Sequence, residues 1–316
     1  MDKKLFDIPI LLITFNKPEI TCHVFEQIRK IKPSKLFLFS DAPATEDSHE
    51  AELVETCRYL LDDSQINWPC KVERWFPETK IGNAIGIPSA ITWAFETCDK
   101  LIILEDDCLP HPTFFAFCKF MLDKYESNDR VMHISGTHRH EKSKINHADH
   151  FFSRVGNLCG WATWKRAWNK YDFWMELLPE MKSEKKIQKI FGDAEVAKYW
   201  HDRFDTVYEE KKKHTWEYQW QYTLFQNDGL AVVPNVNLVS NIGIDDNESE
   251  QLQNSYNFNE TKAWKNLNTD ATLSIDNAYE IHYAQRVFYK KKTFGARIVD
   301  KVRRILTAVF SLGASL

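Results

Sequence analysis

No uninterrupted apolar stretch of this 316-residue chain approaches the ~20 residues needed to cross a bilayer, so a membrane-spanning helix is not expected. The opening MDKKLFDIPILLITFNKP holds only a short apolar run between Asp7 and Pro18, too short for a signal segment with a cleavage site. The seven cysteines are odd in number and scattered, with no C-x-x-C pair, which argues against a disulfide framework and a zinc ribbon. A reducing cytosol is the expected compartment. Positive charge is not in excess either: the net charge is −4 and the pI near 6.3, so no global field favours nucleic acid. Internal repeats and low-complexity segments are lacking, which excludes a solenoid. What remains is a chain 43% hydrophobic and 14% aromatic, the composition of an ordered globular protein with a sizeable core.

Local patterns alternate in type. IPILLITF reads as a buried strand, and the segment from Pro18 spaces Ile20, Val24, Phe25, Ile28 and Ile31 as on a helix. KLFLFSD, CKVERWF, LIIL and VMHISG read as further strands, with helices expected over 46–61 and in IPSAITWAFETC. Strand-like runs return at LAVVPNVNLVSNIG. This alternation predicts an α/β fold with a mostly parallel sheet covered by helices on both faces. Ligands of such sheets bind beyond the carboxyl ends of the strands, where Thr14, Asn16, Lys17, Asp41 and the triplet Glu105-Asp106-Asp107 fall.

Three adjacent carboxylates after an apolar strand repel one another unless a proton or a cation intervenes. If strand alternation continues, Glu105 and Asp107 share a face. Hard oxygen donors suit Mg²⁺ or Mn²⁺, which accept one or two carboxylates and complete their shell with substrate phosphates. A solvated acidic turn is the bland alternative.

The stretch LIILEDDCLPHPTFFAF resembles the nucleotide-binding strand of the GT-A glycosyltransferases, in particular N-acetylglucosaminyltransferase I and related bacterial sugar transferases. The resemblance implies that Asp107 ligates the metal, Asp106 contacts the ribose and Glu105 approaches the donor sugar. It places Asp41 against the base N–H of uracil and Lys17 near the diphosphate, where relatives carry Arg; lysine keeps the charge and loses the bidentate fork. A histidine of the family falls on Ala90 here. FFSRVGNLCGWATWKRAW resembles the segment closing over the donor sugar, which makes Gly160 and Trp161 expected pocket residues. An acidic residue after a tryptophan acts as catalytic base in the family, and Glu217 in TWEYQWQY matches it.

On the residues alone, Trp161, Trp164 and Trp168 lie at i, i+3 and i+7, one stripe of a helix that is more often core than platform. Glu217, between Trp216 and Tyr218, is expected to be partly desolvated and so suited to general-base work; a surface Glu on an amphipathic helix is the rival. His133, His138, His140, His147 and His150 are dense but lack metal-ligand spacing, and are expected in loops. IGIDDNESEQLQNS reads as a mobile lid. From Arg286 onward the chain carries eight Lys or Arg and one acidic residue, Asp300, on an amphipathic pattern. Such a helix can lie on an anionic membrane or dock on protein.

The expected organisation is a GT-A domain over 1–285, with a nucleotide-binding part at 8–135 and a donor-sugar and acceptor part at 136–285. A basic amphipathic helix over 286–316 follows. The expected activity is metal-dependent, inverting transfer of a sugar, N-acetylglucosamine foremost, from a UDP-sugar to a glycan, lipid-linked or protein acceptor. The expected cofactor is Mn²⁺ or Mg²⁺, and the expected location is cytoplasmic or peripheral on the inner membrane face. The alternatives are a metal-dependent phosphotransferase or nuclease, and a non-catalytic carbohydrate-binding protein.

Overall fold

Five consecutive buried residues, Ile10–Thr14, form β1, an interior strand of the main sheet. The computed structural model describes residues 5–44, 48–138, 148–210, 213–243, 260–267, 275–277 and 279–280. The basic segment 286–316 lies outside them, as do His140, His147 and residues 244–255 of the expected lid.

Helix α1 (Pro18–Ile31) starts on a proline whose missing N–H costs nothing there and buries Val24, Phe25 and Ile28, the predicted face. Strand β2 (Lys35–Ser40), helix α2 (Ser48–Leu60), strand β3 (Lys71–Trp75), helix α3 (Asn83–Ala94) and strand β4 (Lys100–Glu105) continue the alternation. Next come β5 (Cys108–Pro110), α4 (Thr113–Lys124), β6 (Val131–Ser135), β7 (His150–Ser153) and β8 (Trp161–Trp164). Helices α5 (Lys165–Trp168), α6 (Leu178–Ser183), α7 (Lys186–Phe191), α8 (Ala194–Glu209) and α9 (Glu217–Gln226) then lead to β9 (Leu230–Pro234) and β10 (Val239–Asn241).

Eight strands form one sheet in the order β3-β2-β1-β4-β8-β6-β9-β7. Its first four strands run parallel, β8 runs against both neighbours, β6 and β9 are parallel, and β7 is antiparallel to β9. The fold is therefore α/β with a mostly parallel central sheet. Because β8 inserts between β4 and β6, the sheet unites strands from both halves of the chain. A separate two-stranded ribbon pairs β5 with β10, tying Asn241 to Cys108.

Alternation along β4 sorts its side chains between two cores. Ile102 and Leu104 pack with α1 and α4, while Leu101 and Ile103 pack with α3 and a tryptophan cluster. A third core, around α8 and Tyr222, extends the β7–β9 end.

The tryptophan stripe is not a helix face. Trp161–Trp164 is strand β8, hydrogen-bonded between β4 and β6, so residues three apart point to opposite faces. Trp161 and Trp168 join one core and Trp164 the other. Helical spacing in a short aromatic run was outweighed by sheet pairing.

Candidate functional site

The parallel strands β1, β2 and β4 end side by side, with Ile13 paired to Glu105 and Thr14 to Ser40. Polar residues that follow those strands are thereby gathered on one edge. Side-chain alternation stops at Glu105, because Asp106 and Asp107 form a turn into β5, so Glu105 and Asp107 do not share a strand face. Each carboxylate is held differently. Asp106 Oδ2 accepts from Phe15 N at 3.2 Å, across the β1 end. Asp107 Oδ2 accepts from Asn241 Nδ2 at 3.0 Å, and the Asp107 carbonyl accepts from Ile242 N at 2.8 Å. Gly243 lies so close that a Cβ there would stand 2.6 Å from that of Asp107.

All three are half-buried, and their proximity costs energy. Burial first, then the charges of Asp107, Glu217 and Asp106, hold Glu105 well above the usual carboxylate range, against the opposing pull of Lys17. Burial, then Asp107, pushes Asp106 up to about 6, with the Phe15 hydrogen bond and Lys17 opposing. The Lys17 ammonium is exposed and donates to the Gly243 carbonyl at 3.4 Å, bridging the β1–α1 turn to the end of β10. Lys80 adds a second cation, 4.5 Å from the Phe15 ring centroid. Asn16 sits between Phe15 and Lys17 on the same turn.

Glu217 comes to this cluster from the first turn of α9, close enough for its charge to act on both Glu105 and Tyr171. The expected desolvation is absent. Trp216 turns into the core at 1% exposure, whereas Glu217 is exposed at the start of the helix. Its carboxylate accepts from Thr215 Oγ1 and from Trp216 N, which fixes its position without covering it.

Asp41 is almost fully buried and accepts from three backbone donors: Ala42 N at 2.8 Å, Ile81 N at 2.9 Å and Gly82 N at 2.7 Å. It clamps the loop entering α3 to the end of β2, where Gly82 takes a φ of +84°. Thr14 is likewise buried, its hydroxyl donating to Phe39 O at 3.4 Å. Ala90 lies in the core.

Trp161 and Gly160, expected at the pocket, are both buried. Trp161 is fully buried, stacked 5.0 Å from His133 and 6.1 Å from Trp216. Gly160, at φ +62°, lets Val239 of β10 cross, since a Cβ there would meet its side chain at 2.7 Å. Both residues support the floor beneath α9 and β10.

The described histidines of the dense stretch are buried, with His133 and His150 on strands rather than in loops. His133 Nε2 donates to Asn157 O at 3.0 Å while Nδ1 accepts from Trp220 Nε1 at 3.2 Å, and burial pushes its pKa down to about 3. His150 bridges Asp149 and Tyr125 at 2.5 and 2.6 Å.

Asn241, Gly243 and Tyr171 joined the site without a sequence signal. Asn241 could be reached only by pairing β10 with β5, a contact 134 residues apart in the chain. The carboxylate edge fits a hard divalent cation in donor chemistry. Among the described residues no group of three or more His, Cys, Asp or Glu could hold an ion by itself, so substrate oxygens would have to complete its shell.

No protein-family model and no curated protein matches the chain. Solved structures with similarity include "UDP-glucose pyrophosphorylase complexed with UDP-glucose", at 12% identity and TM-score 0.25, covering 40% of this chain and 56% of that one. The inositol-1-phosphate CTP transferase from T. maritima matches at 8% identity and TM-score 0.33, covering 73% of this chain and 86% of that one. The 4-diphosphocytidyl-2C-methyl-D-erythritol synthase from Anaerococcus prevotii DSM 20548 matches at 8% and 0.33, covering 72% and 86%. The chain thus spans little more than half the length of the first of these. The likenesses are too slight to carry function, and the fold rests on the strand order itself. No helix among the described residues is long and apolar enough to cross a membrane.

Proposed function

We propose that this protein is a glycosyltransferase that uses a nucleoside diphosphate sugar and a divalent cation. The observation carrying the reading is the convergence of Glu105, Asp106, Asp107, Lys17 and Glu217 at the carboxyl edge of a parallel sheet. The crowded carboxylates are unfavourable as they stand, and a cation with its phosphates relieves them. The resemblance of LIILEDDCLP to the GT-A strand supports UDP as the nucleotide and N-acetylglucosamine as the leading sugar.

Asp107, oriented by Asn241, would hold Mn²⁺ or Mg²⁺, which when bound offsets charge on the departing diphosphate. Lys17 adds positive charge at the same edge. By the same resemblance Asp106, fixed by Phe15 N, would contact the ribose and Glu105 would approach the donor sugar. Asp41, buried and already engaged by three backbone donors, would position the loop entering α3 rather than accept from the base itself as the resemblance implies. Glu217 is exposed and close to Glu105, so it can take the proton of an acceptor hydroxyl. The acceptor oxygen bonds to the anomeric carbon as the bond to the diphosphate breaks, and attack from the opposite face inverts the configuration.

The test is thermal unfolding with UDP, GDP or no nucleotide, each with Mn²⁺ or EDTA. A ligand at a hundred times its Kd adds ~2.7 kcal/mol. Stabilisation by UDP that requires Mn²⁺ and disappears in Asp107→Ala is expected. If no nucleotide stabilises at saturation, the reading fails and a carbohydrate-binding protein takes its place.

A further inference from the structure

Beside α3, on the face of the sheet carrying the tryptophan core, lies an open groove of about 740 Å³. That is within the range of small-ligand sites, roughly 300–1,000 Å³. Trp75 and Trp93 form its floor, 5.9 Å apart and steeply inclined, and Ile85 is exposed at its rim. Tyr171, Phe173 and Trp174 form the opposite wall; Ser89 of α3, Glu96 just beyond its end and Arg74 supply polar groups, the Thr92 hydroxyl being engaged by Pro88 O and Trp168 Nε1.

Trp174 is 58% exposed, although a tryptophan is a large apolar surface to leave in water. A built turn carries Trp174, and the Lys213 ammonium stands 5.8 Å from its ring centroid. Asp172 accepts from Trp174 N at 3.1 Å and from Glu176 N at 2.7 Å, while its own N–H donates to Thr223 Oγ1 at 3.2 Å. Met175, fully buried in the third core, anchors the turn at a φ of +53°, which a residue with a side chain adopts at a cost. Phe173 braces the indole edge-on at 5.0 Å. This turn spends backbone strain to hold one indole outward over a groove.

One residue of the groove wall borders the site described above. Tyr171 lines the groove, and the Tyr171 hydroxyl donates to the Trp216 carbonyl at 3.2 Å, next to Glu217. Flat apolar faces alternating with hydroxyl and carboxylate groups match pyranose rings, whose axial C–H faces stack on indole while equatorial hydroxyls seek polar partners.

We propose that this groove is a glycan-binding subsite, and that it takes a short, uncharged glycan with a pyranose ring stacked on Trp174. The proposal rests on the groove alone and stands apart from the glycosyltransferase reading.

The test is saturation-transfer NMR with cellopentaose, maltopentaose and chitopentaose at millimolar concentration, on the full chain and on Trp174→Ala and Trp174→Phe. The exposed position lets both variants fold. At least one pentasaccharide should receive saturation at its ring C–H protons, with affinity lowered about tenfold in Trp174→Ala and less in Trp174→Phe. UDP with Mn²⁺ should stabilise native and variant proteins equally. Failure of all three sugars to bind, or binding indifferent to Trp174→Ala, overturns the subsite, and so does a dimer in sedimentation that Trp174→Ala dissolves. UDP stabilisation without glycan binding would sink the subsite and leave the enzyme reading intact. Glycan binding through Trp174 without any nucleotide response would do the reverse.

Discussion

Protonation of His133 on unfolding should withdraw one contribution to the stability of this protein below pH 6.5. The imidazole is fully buried between Trp161 and Trp220, donates to Asn157 O, and accepts from Trp220 Nε1, so it is locked neutral. Its pKa in the folded chain is about 3, depressed by burial, against about 6.5 when unfolded. Between these values the unfolded chain binds a proton that the folded chain refuses. The His133 contribution is therefore complete above pH 6.5 and drains away as pH falls towards 3, while the raised carboxyls of Glu105 and Asp106 act with the opposite sign and cancel in a comparison at this position. At pH 5 the gap from the unfolded value is roughly 1.5 pH units, worth about 2 kcal/mol. The perturbation that isolates this residue is His133→Gln, whose amide can donate to Asn157 and accept from Trp220 but cannot titrate. The variant should be less stable than the native protein at pH 7.5 by about 1–3 kcal/mol, since the ring stack on Trp161 is lost. Its deficit should shrink by about 2 kcal/mol at pH 5. His150 and His201, also held down chiefly by burial, act in both proteins and cancel in the difference. Urea unfolding at the two pH values measures it. A deficit equal at pH 5 and pH 7.5 would refute the reasoning.

Asp41→Ala should cost about 2–4 kcal/mol, because Ile81 N and Gly82 N lose their acceptor and the Ala42 N–H is left buried; urea unfolding at neutral pH reads it, and a change below 0.5 kcal/mol would contradict the clamp. Glu217→Gln should lower sugar transfer about 10²–10⁴-fold while UDP still stabilises the protein in the presence of Mn²⁺; undiminished turnover would remove Glu217 as the base.

The strands at both ends of the opening alternation, the helix from Pro18 and the acidic edge were all legible, because each depends on local periodicity and on where a buried strand stops. Asp41 was found for its position, but its three backbone donors come from residues 42, 81 and 82, and no pattern in KLFLFSD announces the last two. The tryptophans misled for a related reason. Residues 161, 164 and 168 satisfy a helical period, and only the vacancy between β4 and β6 makes 161–164 a strand.

The sequence by itself determined that a buried parallel sheet would end in repelling carboxylates, since apolar runs and charge clusters are local facts. Tertiary structure decided the rest: that Glu217 approaches Glu105, that Asn241 orients Asp107, and that Trp174 stands out in water while Trp161 is buried. Those relations join residues tens to over a hundred positions apart, so they exist only once the sheet order and the β5–β10 ribbon have closed.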